Sequence, residues 1–143
     1  MRSKEYHVPH EENREIIRRF NEDVWGKGHV DLVDELFSPD FVDHYRAPGG
    51  PPGRDGIRYD VQRIRAAFPD LEIISEDIVC EEDRVALRWS GRGTHKQDLP
   101  GIPVTGRQIT MSGMHFFRIG DSRIVERWVE FDGTAVMRQL GVV

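Results

Sequence analysis

His115 is the side chain in this sequence best suited to chemistry near neutral pH. It stands in residues 108–119 among Met111, Met114, Phe116 and Phe117. An imidazole is the one common side chain whose ordinary pKa lets it exchange a proton in that range. At the base of a pocket it would donate a hydrogen bond or shuttle a proton. In a core it would be a satisfied buried histidine, and the strand pattern alone leaves both open. Asp40, Asp43 and His44 form a second cluster. A carboxylate beside a histidine at a strand end has the make-up of a general base with its orienting partner. It equally has that of a capping acid and an exposed histidine. No metal is expected: His7, His10, His29, His44, His95 and His115 fall in separate segments with no ligand spacing. The single Cys80 excludes an internal disulfide and a cysteine-rich zinc module. There is no phosphate loop, dinucleotide fingerprint or nucleophile elbow.

Such residues need elements to place them. Residues 1–9 read as a loose lead-in to a single domain spanning 1–143. From His10 the apolar residues Ile16, Ile17, Phe20, Val24 and Trp25 recur at helical steps, and Gly26 and Gly28 close the helix. A short helix through Leu36 and Phe37 is stopped by Ser38-Pro39, and residues 40–45 read as a strand. Pro and Gly make 47–53 a loop. A third helix covers 54–68, with Ile57, Val61, Ile64 and Phe68 on one side and Pro69 after it. Arg14, Arg18, Arg19, Arg58, Arg63 and Arg65 read as solvated helix faces. Strands follow at 71–80, 84–94, 108–119 and 123–131, and a helix at 134–140 ends the chain. The order is that of an α+β fold, N-terminal helices packed on a curved, mostly antiparallel sheet. Such a sheet closed by helices forms a cone with an apolar cavity, the default site for a small ligand.

Alternation then assigns faces. Met111, Gly113, His115, Phe117 and Ile119 share one side; Met114 and Phe116 share the other. On the last strand Arg127, Val129 and Phe131 oppose Glu126, Trp128 and Glu130. A tight turn at Gly120-Asp121-Ser122 pairs the two strands, which makes His115, Arg127 and Val129 neighbours in a pocket. Trp89 and the other scattered aromatics could be core or cavity wall. Met114, Phe116 and Trp128 on an outer face point to a dimer. The 25 acidic residues against 20 basic ones, net −5, argue against a nucleic-acid binder. No apolar run is long enough to span a bilayer. A cytoplasmic protein is expected.

Residues 101–141, GIPVTGRQITMSGMHFFRIGDSRIVERWVEFDGTAVMRQLG, resemble the C-terminal half of the SnoaL-like polyketide cyclases: a Pro-Thr-Gly-Arg-type loop, a long strand, a turn, an Ile-x-x-x-Trp strand and a final Gln-Leu-Gly. Phe20-Asn21 and the run from Leu36 to Phe41 extend the likeness over about 11–141. The resemblance implies the cone-shaped nuclear-transport-factor-2-like fold, commonly homodimeric through the open sheet face. It implies intramolecular aldol ring closure without metal or organic cofactor, with an aspartate on the last strand as acid/base and a histidine on the preceding strand. His115 falls on that histidine, and Asp43 where the family has Asn or Asp near the pocket mouth.

Two positions depart from the family pattern. Val129 stands at the catalytic aspartate, and Gly113 at a pocket glutamine. A valine transfers no proton, so a β-bulge would have to turn Glu130 inward, or Asp43 would have to act from the opposite wall. Otherwise there is no aldol chemistry. Arg127 could stabilise an enolate or a carboxylate ligand. The expected acid/base residues are thus His115, Asp43 and Glu130, with Arg127, Val129, His44, Trp89 and Phe117 as ligand contacts and no metal ligand. The leading expectation is a cofactor-free cyclase, lyase or isomerase for a small apolar carbonyl or polyketide-like compound. The alternative is a non-catalytic small-ligand-binding protein. An epoxide-opening hydrolase would need more inward-facing acids than the strands supply.

Overall fold

The computed structural model describes residues 3–142, with side chains from His10 onward. The first helix, α1 (Ser3–Arg19), begins earlier than its apolar pattern and runs through Pro9. Within the described residues the expected lead-in is helical. Met1, Arg2 and the side chain of His7 lie outside the described residues.

From α1 the chain passes directly into a π-helical stretch, Phe20–Trp25. Wider turns of this kind re-aim side chains and recur at functional sites. Here Phe20, Asn21 and Val24 are all buried. Gly28 ends the run at φ +79. Its N–H donates to the Val24 carbonyl at 2.9 Å and that of His29 to the Asp23 carbonyl at 3.0 Å. This is a left-handed cap that a side chain would strain.

A 3-10 turn, Val30–Leu32, leads into α2 (Val33–Leu36). The strand β1 (Phe37–Asp43) starts at once, so Ser38-Pro39 lies inside the strand and does not separate helix from strand. The proline is tolerated because β1 is an edge strand. Helix α3 (Gly53–Ala67) precedes β2 (Glu72–Glu81), β3 (Arg84–Thr94), β4 (Gln108–Gly120) and β5 (Arg123–Phe131). Helix α4 (Gly133–Leu140) is capped by Asp132, whose carboxylate accepts from the Ala135 N–H at 3.1 Å.

The sheet order is β1-β5-β4-β3-β2. Strands β2 to β5 pair antiparallel, while β1 returns parallel to β5. Asp121 and Ser122 take φ +50 and +60, which gives the β4–β5 hairpin a turn whose twist matches its strands. The helices cover one face, and Phe20, Phe37, Val85, Leu87, Phe117 and Ile124 form the core beneath them. The other face carries the exposed side chains Ile74, Val79, Met114 and Phe116. This is the α+β arrangement expected from the sequence. Among the described residues no helix is long and apolar enough to cross a membrane.

Candidate active site

A cavity of about 820 Å³ opens between the sheet and the helices. Its sheet wall comes from Trp89 on β3, Met111 and His115 on β4, and Arg127, Val129 and Phe131 on β5. Its helical wall comes from Asn21 and Trp25 of the π stretch and from Asp60, Arg63 and Ile64 of α3. Leu99, Pro100 and Ile102 of the β3–β4 loop and residues of α4 complete it. Most of these groups are apolar, as in sites that bury a small organic molecule.

His115 and Val129 are Cα partners across β4 and β5, and both line the cavity. The imidazole is 6% exposed, packed edge-on to Trp89 at 6.2 Å and tilted against Phe20 at 6.0 Å. Its Nδ1 is buried and has no hydrogen-bond partner among the described residues. Burial holds its pKa well below the ordinary 6.5, and the Arg127 charge acts in the same direction. The ring is therefore neutral at physiological pH, with one nitrogen to donate and one to accept.

Among the described residues the indole nitrogens of Trp25 and Trp89, the Arg63 Nε and the His95 Nε2 are likewise buried without a partner. Trp25, Trp89 and Arg63 line the cavity, and His95 does not.

Arg127 is 2% exposed and grips Asp43 with two bonds, Nε to Oδ1 at 3.1 Å and Nη2 to Oδ2 at 2.7 Å. The parallel β1–β5 register makes these residues Cα partners. The Tyr45 N–H also donates to Asp43 Oδ1 at 3.1 Å, so both carboxylate oxygens are occupied. The guanidinium lies 5.8 Å from the ring centroids of both Phe20 and Tyr45. Asp43 itself lines a smaller pocket beside the Gly/Pro loop, whose lining Tyr45, Asp60 and Arg127 share with the large cavity. Burial, then the nearby Asp60 charge, pushes the Tyr45 phenol pKa up.

The remaining sequence candidates lie elsewhere. Glu130 is exposed and paired with Met114 on the outer face. The bulge in β5 falls near Val125, between the pairs Arg118–Glu126 and Ile119–Ile124, and leaves the alternation at Glu130 intact. His44 follows Asp43 by one residue and so points to the opposite face. There it stacks on Trp128 at 4.7 Å and hydrogen-bonds to Glu126 at 2.7 Å. Asp40 is exposed. Phe117 shares a face with His115 but packs into the core against Phe20 at 5.8 Å, outside the cavity lining. Trp89 does line the cavity, stacked on Phe131 at 6.0 Å.

Sequence reasoning missed Asp60 and Arg63. Read as part of a solvated face, Arg63 instead donates from Nη2 to Asp60 Oδ1 at 2.7 Å beside the cavity. The signal was present: Asp60 falls between Ile57 and Ile64 on the apolar side of α3, where an acid is costly. Arg65, grouped with it, donates to the carbonyls of Trp25, Gly26 and Leu71 and ties the end of α3 to the π stretch. Among the described residues no three His, Cys, Asp or Glu side chains come together as a metal site.

Residues 15–140 match the family model described as SnoaL-like polyketide cyclase. The chain is 29% identical over 136 residues to the aklanonic acid methyl ester cyclase DauD of Streptomyces sp. (strain C5), covering 89% of this chain and 80% of that protein. Among solved structures it is 33% identical to IdmH from Streptomyces antibioticus, with a TM-score of 0.79 over 91% of this chain and 99% of that one. TsrD from Streptomyces laurentii superposes with a TM-score of 0.84 at 24% identity, covering 93% and 97% of the two chains, a likeness of fold.

Proposed function

We propose, from the premise that this chain belongs to the SnoaL-like polyketide cyclase family, that it is an acid/base enzyme of cyclase, lyase or isomerase type. Its substrate is a small, largely apolar carbonyl compound of polyketide-like kind, turned over without metal or organic cofactor. The observation that carries this reading is the largely apolar cavity whose sheet wall brings His115 and Arg127 together. A neutral imidazole donates a hydrogen bond to a carbonyl oxygen that becomes an enolate, and the Arg127 charge stabilises the same developing charge. Asp43 keeps that guanidinium in place. The reading includes a homodimer formed through the uncovered face of the sheet.

The test uses aklanonic acid methyl ester, which the name of the DauD relative supplies. Incubation with the purified protein is expected to yield an isomer of unchanged mass and new proton spectrum. His115→Ala is expected to slow that conversion by ~100-fold. A second reading is favoured by Val129, which removes the family's acid from the last strand: a protein that binds such a compound and releases it unaltered. Ester that binds tightly and is recovered intact after long incubation supports that reading and defeats the first.

A further inference from the structure

We propose that Asp60 on α3 is the carboxylate that takes the substrate's proton, the role left without an acid at Val129. The inference rests on the acid/base reading above and names the residue that reading lacks. Asp60 is the one acidic side chain among the described residues lining the large cavity. It is 7% exposed and lies on the apolar side of α3 with Ile57, Val61 and Ile64. A carboxylate in such a place is retained against a desolvation cost that an apolar side chain would avoid.

Its hydrogen bonding separates it from the other candidates. Arg63 Nη2 holds Oδ1, while Oδ2 has no hydrogen-bond partner among the described residues. Asp43, in contrast, has both oxygens committed to Arg127 and the Tyr45 N–H. Asp60 belongs to the helical wall; His115 and Arg127 belong to the sheet wall. A ligand filling the cavity thus has a proton acceptor on one wall and enolate-stabilising groups on the other.

The step balances within one molecule. Asp60 Oδ2 forms an O–H bond with the hydrogen on the carbon next to a carbonyl, and the C–H electron pair becomes the enolate. The His115 N–H hydrogen-bonds to the enolate oxygen. The enolate carbon bonds to a second carbonyl carbon of the same substrate, whose π pair moves to its oxygen. That oxygen takes the proton back from Asp60. The product is an isomer, and no co-reactant is consumed.

The experiment follows exchange of the ring protons next to the carbonyl of 2-tetralone, an apolar bicyclic ketone, in deuterated buffer by proton NMR. Tryptophan quenching reports its binding in parallel. Wild type is expected to speed exchange above the buffer rate. Asp60→Asn is expected to lose roughly 100-fold or more of that acceleration, with affinity within about threefold and an unchanged far-UV spectrum. Asp60→Glu, which keeps the carboxylate, is expected to recover part of it, so a folding defect and a lost base are told apart. Asp60→Asn exchanging as fast as an active wild type overturns the assignment and leaves the acid/base reading standing. Wild type that leaves 2-tetralone at the buffer rate defeats the acid/base reading, and the Asp60 assignment with it.

Discussion

At the scale of single residues, His115 couples the cavity to the stability of the fold. In the folded chain its pKa lies well below 6.5 because burial penalises the charged ring. In the unfolded chain it returns to about 6.5. Above that value neither state holds the proton, and the histidine costs nothing. As pH falls below 6.5 the unfolded chain takes up a proton that the folded one refuses, so stability drops by up to ~1.4 kcal/mol per pH unit. Urea unfolding between pH 7.5 and 5 is expected to show that slope, and His115→Gln to flatten it. An unchanged slope in the variant would place the burden on another group. The surface carboxylates act in a lower window: Glu126, held low by His44 and Arg118, loses its contribution only as pH falls below its ordinary 4.5. The Asp43–Arg127 pair makes a different demand. Removing one partner leaves a buried charge unmatched, so Arg127→Met is expected to destabilise by ~3–5 kcal/mol. Asp43→Asn with Arg127→Met removes both charges and is expected to recover part of that loss in the same assay. A double variant no better than the single one would show that the pair acts through packing, not charge.

At the scale of elements, β3 and β4 show how a glycine on one strand makes room for an aromatic side chain on its neighbour. Gly113 stands opposite Trp89 in the register. A Cβ at 113 would lie 2.9 Å from the Trp89 ring and 2.8 Å from the Glu130 carbonyl oxygen. The indole fills the space that a side chain at 113 would need, and Phe131 stacks on its face. Gly113→Ala is therefore expected to cost ~1–3 kcal/mol and to shift the tryptophan emission. Adding Trp89→Leu is expected to relieve part of the cost, a coupling that a double-mutant cycle reads directly. Additive effects would mean that the backbone at 130, and not the indole, sets the limit. The strands themselves were legible because period-2 alternation and the Gly120-Asp121-Ser122 turn are local signals. They placed His115, Arg127 and Val129 together correctly. The Asp43–Arg127 pair was not legible, because it depends on a parallel pairing between strands 84 residues apart at these partners. Glu130 needed a bulge at its own position, and the bulge falls several residues earlier. On α3 the sequence reading assigns Arg58, Arg63 and Arg65 to a solvated face and does not weigh Asp60, although Ile57 and Ile64 bracket it at helical spacing.

At the scale of the whole molecule, the two faces of the sheet have opposite fates. One is closed by α1, α3 and α4 and holds the cavity; the other has no helix over it among the described residues. On that outer face Met114 is 58% and Phe116 42% exposed, with Ile74 and Val79 also exposed on β2. Phe116 packs edge-on to Trp128 at 6.0 Å, so the aromatic side chains of neighbouring strands form one continuous patch. A patch of this kind on a central part of a sheet is a liability for a monomer. Several charged groups on this face are paired within the chain: Arg88 holds Asp77 and Arg118 holds Glu126, while Glu130 lies beside Met114. A second copy of the chain covering the apolar centre would leave the Arg88–Asp77 and Arg118–Glu126 pairs intact, with Glu130 at the rim. Sedimentation velocity at micromolar concentration is expected to give twice the 16.5 kDa chain mass. Met114→Glu would place a second carboxylate beside Glu130, its cross-strand partner, and Phe116→Glu would put one in the middle of the patch. The double variant is expected to sediment as a monomer and still bind the cavity ligand, because both positions face away from His115. A monomeric wild type would retire the homodimer. A double variant that stayed dimeric would move the interface off this face.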